Sequence, residues 1–181
     1  MKRRDLIKTL GYASPIAAVP VVSLASMNNQ TGWLEEFRDR WEVSESYTRE
    51  VFHAMPEEYL TFKPVLEVMS FGKQFTHLAM GVAIYAAILR GDSHTEEPEA
   101  LDRGIILNYM ETTSREFKDV IDNLTEEVLY TKEHKHRNEE IWKEFSVADI
   151  LLLAYHHTAH HRAQAIVYLR IKGIEPPKYM F

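Results

Sequence analysis

The chain has 181 residues, 45% of them hydrophobic, with 8 Phe, 9 Tyr and 3 Trp, enough to bury one sizeable core in a single domain. Its 27 acidic residues outnumber 21 basic ones for a formal charge of −6, which argues against a face built to follow a phosphate backbone and gives no support for nucleic acid as a partner. The absence of cysteine rules out disulfides, thiolate metal ligands and a cysteine nucleophile, so any metal site must draw on His, Asp and Glu.

The chain opens with "MKRRDLIKTLGYASPIAAVPVVSLAS". Lys2, Arg3 and Arg4 form a basic start, an apolar stretch runs from about Ile7 to Leu24, and Ser23 and Ala25 form a small-x-small cleavage pattern. Pro15 and Pro20, with Gly11 and Ser14, break what would otherwise be a spanning helix. Residues 1–25 are therefore read as a removable export signal and 26–181 as the mature domain, with the periplasm as its expected location. "KRRDLIK" resembles the twin-arginine export motif, with Lys2 and Leu6 standing where Ser or Thr and Phe are usual. That resemblance implies passage across the membrane already folded, a route often taken by proteins that acquire their metal in the cytoplasm. An ordinary secretory signal with incidental arginines is the alternative. No cysteine follows the apolar stretch, which excludes a bacterial lipoprotein anchor. Cleavage after Ala25 leaves 17 basic and 26 acidic residues and a charge of −9, a protein with no stable membrane anchor and poorly suited to anionic membrane surfaces.

From Trp33 to about Ala54 the apolar and aromatic residues Trp33, Leu34, Phe37, Trp41, Val43, Tyr47, Val51 and Phe52 recur mostly at three and four, which predicts a first amphipathic helix. Pro56 ends it, and a connection containing Pro64 leads to Ser70, a cap for a second helix that stops at Gly91. On that helix Gln74, His77, Leu78, Gly81, Ile84, Tyr85 and Ile88 share a face, so His77 points inward. "GDSHTEEP" is a polar loop, and a third helix follows from about Glu99 to Asn123. The next segment is irregular, with "VLYTKEHKH" a short extended piece before a turn. Ser146 with Asp149 three later is a capping-box pattern opening a fourth helix, and Gly173 followed by Pro176 and Pro177 closes it. Four helices, no confident strand and one core predict an all-α fold, an antiparallel four-helix bundle, with the apolar tail "GIEPPKYMF" packed back on it.

The fourth helix carries "AYHHTAHHRAQ". Residues four apart lie about 40° from eclipse and one turn up, so imidazoles at i and i+4 can converge on one ion. Two such pairs exist, His156 with His160 and His157 with His161, about 100° apart around the helix. Ile150, Leu153, Ala154, His157, His161, Gln164 and Tyr168 step along one line, and Leu152, His156, Ala159, Ala163 and Val167 along another that is also apolar. Periodicity favours His157 and His161 without settling the choice. A working site for Zn²⁺ or a similar ion usually takes three protein ligands, and His77 is the third candidate. Three histidines suit Zn, Ni, Fe, Cu and Mn to differing degrees. The competing interpretation is a set of histidines that satisfy buried polar partners or sit on a solvated face. His53, His94, His134 and His136 have no matching spacing beyond "HKH" and are read as solvated. No phosphate loop, nucleophile elbow or HExxH occurs.

"AMPEEYLTFKP", "MSFGKQFTHLA" and "HHTAHHRAQAIVYLRIKGIEPPKY" resemble the linker, the second-helix start and the last helix of the DinB family of metal-binding four-helix bundles, a resemblance spanning nearly all of residues 33 to 181. It implies a divalent cation held by His77, His157 and His161, with His160 beside the site. Ala163 stands where the family motif usually has glycine. Some relatives look like thiol transferases and others resemble metal-dependent hydrolases. An exported protein meets little of a cytoplasmic thiol pool, which weakens the transferase. The expected function is thus an exported metal-dependent hydrolase or transferase of an unknown small molecule, with Tyr85, His160 and Gln164 as pocket residues. The alternatives are a metal-binding bundle that senses or stores an ion, and a purely structural bundle. A homodimer is compatible with the spare apolar helix faces.

Overall fold

The computed structural model describes residues 32–138 and 141–180, and the side chains of 133–143 fall outside the description. The proposed export signal lies outside the described residues. Among the described residues are four α-helices: α1 Trp33–Ala54, α2 Phe71–Arg90, α3 Arg103–Asp122 and α4 Val147–Ile171. None among the described residues is long and apolar enough to cross a membrane.

Local chemistry explains where each helix begins and ends. A free amide in the first turn of α1 is capped from a distance, Leu34 N–H donating to Glu126 Oε1 at 2.7 Å. Ser70 Oγ accepts from Lys73 N and opens α2, and Gly91 closes it in the left-handed region at φ 76°. The third helix starts four residues later than its apolar pattern suggests, because Asp102 is the cap: its Oδ1 accepts from Ile105 N at 2.9 Å. Ser146 and Asp149 form the reciprocal capping box of α4, with Ser146 N–H donating to Asp149 Oδ2 at 2.9 Å and Asp149 N–H to Ser146 Oγ at 3.1 Å.

Helix directions differ from the simple antiparallel expectation. The carboxyl half of α1, the amino ends of α2 and α3 and the carboxyl end of α4 share one apolar cluster, containing Val51, Phe75, Ile106 and Leu169. The opposite ends share the other, containing Trp41, Val82, Phe117 and Leu151. Hence α1 and α4 run parallel to each other, as do α2 and α3, and the two pairs run in opposite directions. The polar connection 91–102 makes this possible, since about 12 extended residues reach roughly 40 Å while a helix of about 20 residues is roughly 30 Å long. It is fastened along the way: Glu97 Oε2 pairs with Lys73 Nζ at 2.7 Å, Thr76 Oγ1 donates to Glu97, Tyr109 OH donates to Thr95 O at 3.0 Å and Thr95 Oγ1 donates to Glu116 at 3.0 Å.

Between the two apolar clusters lies a belt of buried polar side chains. Ser44 and Thr48 of α1, Gln74 of α2, Thr113 and Ser114 of α3, and Thr158, His161 and Arg162 of α4 are all in the buried class. Arg162 ties α4 to α1, its Nη1 donating to Ser44 O at 2.9 Å, Ser44 Oγ at 2.7 Å and Thr48 Oγ1 at 3.0 Å, with the guanidinium 4.8 Å from the Tyr47 ring centroid.

Where the sequence carries no confident strand, a hairpin lies between α3 and α4: β1 Lys132–Asn138 pairs antiparallel with β2 Ile141–Ser146. "VLYTKEHKH" indeed becomes extended at its end. The strands are charged and weakly alternating, so their conformation comes from pairing rather than from local propensity. The side chains of His134 and His136 lie outside the description, while His53 and His94 are exposed. In the tail, Ile174 and Met180 pack on the second cluster and Tyr179 meets Tyr47 edge-on at 5.9 Å.

Replacing Ser146 with Ala removes the Oγ that accepts from Asp149 N–H and donates to Asp149 Oδ2, leaving only the backbone half of the capping box. Thermal unfolding followed by circular dichroism should show a loss of about 1 kcal/mol, roughly 2–4 °C in Tm, without change in helix content.

Candidate metal centre

His77 of α2 and His157 and His161 of α4 converge where these antiparallel helices face each other. One ring nitrogen from each lies within 4.8 Å of the others. Ring centroids are 5.2 Å apart for His77 and His157, 4.7 Å for His77 and His161, and 4.6 Å for His157 and His161. The helix register turns one of the two pairs inward: His161 is buried and His157 half-buried, whereas His156 and His160 are exposed, as are Leu152, Ala163 and Val167 along the same outer line.

Two of the three rings are oriented by hydrogen bonds. His161 Nδ1–H donates to Gln74 Oε1 at 2.6 Å, which leaves the Nε2 lone pair free. The amide of Gln74 must face this way, because its Nε2 donates to Gln164 Oε1 at 2.8 Å and to Tyr168 OH at 3.3 Å, and Tyr168 OH in turn donates to Met69 O at 2.9 Å. Gln164 extends the chain outward, its Nε2 donating to His160 Nε2 at 2.6 Å. His157 lies against the backbone of α2, its Nε2–H donating to His77 O at 3.4 Å, and Tyr85 meets its ring edge-on at 6.2 Å.

That approach requires Gly81. A Cβ at this position would overlap Cδ2 and Nε2 of the His157 ring, so a hydrogen here is what admits the imidazole. Gly81 and Gln74 both lie on the face that the apolar pattern of α2 assigns to the interior, yet nothing in their spacing reveals these roles. Glu97 and Arg162 were missed as well. Glu97 reaches α2 from the long connection, and its charge acts on His77.

The electrostatics favour neutral imidazoles. Burial first, then the neighbouring His157, His77 and His160, push His161 down to about 3. Burial also lowers His157, against the bond to the His77 carbonyl, and lowers His77, against the charge of Glu97. All three therefore offer lone pairs at neutral pH. A tetrahedral ion with Zn–N bonds of about 2.1 Å needs nitrogens about 3.4 Å apart, so the residues fit a cation after a small inward turn of the rings. The donor set, three neutral nitrogens, suits a divalent transition metal rather than Ca²⁺ or Mg²⁺.

A family model described as the DinB family matches residues 27–181. Among solved structures, a DinB-like protein from Bacillus cereus is similar at 17% identity and TM-score 0.68, over 80% of this chain and 96% of that one. A DinB-like protein from Bacillus subtilis is similar at 20% identity and TM-score 0.60, over 80% and 97%. A conserved protein from Enterococcus faecalis is similar at 13% identity and TM-score 0.63, over 78% and 98%. No curated protein matches the sequence. At these identities the structural likeness concerns the fold.

Gly81→Ala should weaken metal binding at least about tenfold in a competition titration, because the His157 ring must leave its place, while in the metal-free protein a helix-propensity gain of about 1 kcal/mol offsets the displaced packing and leaves the fold intact by circular dichroism. Retained affinity would mean that His157 is not held where it lies. In the metal-free protein the unfolded chain binds protons at His161 near pH 6.5 and the folded chain only near 3. Stability is accordingly complete above 6.5 and is lost as pH falls toward 3, with His77 and His157 acting in the same direction. Urea midpoints measured across this window with chelator should fall with pH, and more shallowly in His161→Gln.

Proposed function

The chain belongs to the DinB family, and on that premise we propose that it binds a divalent transition-metal cation, Zn, Ni, Fe or Mn, through His77, His157 and His161 and acts as a metal-dependent hydrolase or transferase on a small molecule. The observation that supports this most directly is the convergence of three neutral imidazoles between α2 and α4, two of them oriented by hydrogen bonds. Three protein ligands leave coordination positions open, and three uncharged ones preserve the cation's Lewis acidity toward a water or a substrate oxygen or sulfur.

The chain's own residues would then divide the remaining work. Gln74 holds the His161 proton on Nδ1 and so keeps Nε2 directed at the cation. His160 is exposed, 4.9 Å from the His161 ring, and would exchange a proton with a substrate at the rim, with Gln164 fixing its tautomer. Tyr85 would close the far side beside His157. Export belongs to the same proposal, supported by the basic start, apolar stretch and small-x-small pattern of residues 1–25.

Elemental analysis of the protein recovered from its expression host's periplasm is the test. About one divalent ion per chain is expected, with an amino terminus at Ser26 and affinity lowered at least about tenfold in His157→Ala and in His161→Ala but not in His156→Ala. Loss on changing His156 with retention on changing His157 would overturn the ligand set. In hydrolase and thiol-transfer substrate panels, turnover should vanish in the protein lacking all three histidines. Stoichiometric metal without turnover in either panel would assign the bundle to ion storage or sensing.

A further inference from the structure

Arg162 is buried beside the metal centre but does not face it. It follows His161 on α4, a step of about 100° around the helix, and turns toward α1 where His161 turns toward α2. Its Nη1 spends both protons on Ser44 O, Ser44 Oγ and Thr48 Oγ1, at 2.7 to 3.0 Å. The other edge of the guanidinium, Nε with Nη2, has no hydrogen-bond partner among the described residues, and no carboxylate among them pairs with it.

This is an unusual state for an arginine in so acidic a chain. Every other arginine whose side chain is described is either within 3.9 Å of a carboxylate or exposed. Arg162 is only 7% exposed and has no counter-ion. The neutral oxygens of Ser44 and Thr48 satisfy Nη1 but do not neutralise the charge, and a cation withdrawn from water gains most from an anion. The free edge is nevertheless open to one. Nε and Nη2 are not among the sealed side-chain atoms that lack a partner, so the exposure left to the residue lies partly there.

Three tyrosines frame the guanidinium. Its carbon lies 4.8 Å from the Tyr47 ring centroid, Tyr179 of the tail meets Tyr47 edge-on at 5.9 Å, and Tyr155 stands two turns before Arg162 on the same line of α4. These tyrosines, rather than a carboxylate, are the groups whose charge acts on it most. We propose that the Nε–Nη2 edge of Arg162, framed by Tyr47, Tyr155 and Tyr179, is a binding site for a small aromatic carboxylate. The two parallel N–H groups of that edge match the two oxygens of one carboxylate, and the phenol rings offer surface to a planar apolar remainder. The chain's net charge of −6 favours a monoanion over a dianion such as phosphate. The site lies on the α1 side of α4 and does not depend on the metal reading.

The test titrates benzoate into the full chain as purified, with benzamide as its neutral isostere and inorganic phosphate as the dianion. The readout is the side-chain Nε–H resonance of Arg162, assigned by its loss in Arg162→Lys. Benzoate should shift that resonance saturably, and benzamide and phosphate should not. By calorimetry, Arg162→Lys should bind benzoate at least about tenfold more weakly, because an ammonium keeps the charge and loses the fork. Tyr179→Ala, at a side chain 72% exposed, keeps the test open if that variant fails to fold, and should weaken binding about fivefold. A carboxylate can also ligate a metal, so the titration is repeated on His157→Ala with metal content measured on the same sample. There the Arg162 shift should persist whatever the metal does, which separates failure of this site from failure of the metal assignment. The proposal is overturned by an absent or non-saturating shift, by an equal response to benzamide or phosphate, by undiminished affinity in folded Arg162→Lys or in Tyr179→Ala, or by loss of the shift together with the metal in His157→Ala.

Discussion

A buried polar side chain is tolerable only where it finds a partner, and the rotation of α4 about its axis depends on meeting that condition twice. On one side Arg162 donates to Ser44 and Thr48 of α1, and on the other His161 donates to Gln74 of α2. Hydrophobicity alone would specify the rotation poorly, because α4 has apolar residues all round, with Leu152, Val167 and Ile171 exposed. Turning the helix by one residue would strand a guanidinium and an imidazole in the interior and bring His156 and His160 inward. The two hydrogen-bonded contacts thus select which histidines meet His77.

The same belt accounts for the electrostatic character of the centre. Burial that would penalise a charged imidazole keeps all three rings neutral, the state a cation requires of its ligands. Close packing of α2 on α4 would ordinarily exclude a ring at His157, and Gly81 removes the obstructing methyl. Orientation, neutrality and space are therefore supplied by residues that would not themselves touch an ion.

Much of the architecture was legible from local signals. Ser70, Gly91, Ser146, Asp149 and Gly173 mark helix ends through hydrogen bonds within a few residues, so their pattern survives in one dimension. The parallel course of α2 and α3 was not legible, because a long polar loop is compatible with either direction until Glu97 meets Lys73 and Thr76. Nor was the hairpin, whose conformation depends on the partner strand. Of the centre, the i, i+4 spacing exposed two histidine pairs and an apolar face exposed His77, while Gln74, Gly81, Glu97 and Arg162 act across distances of twenty residues or more and carry no spacing signal.

The amino-acid sequence by itself determined that the chain is helical, where most of its helices begin and end, that any metal must be held by nitrogen or oxygen ligands, and which few histidines were eligible. These properties rest on backbone hydrogen bonds and side-chain periodicity, which are local. Only the tertiary structure decided the directions of the helices and which eligible histidines face His77, namely His157 and His161 rather than His156 and His160. The directions depend on how the long connection is fastened by Glu97, and the inward pair on the rotation of α4, which is set by which buried polar groups find partners across the bundle.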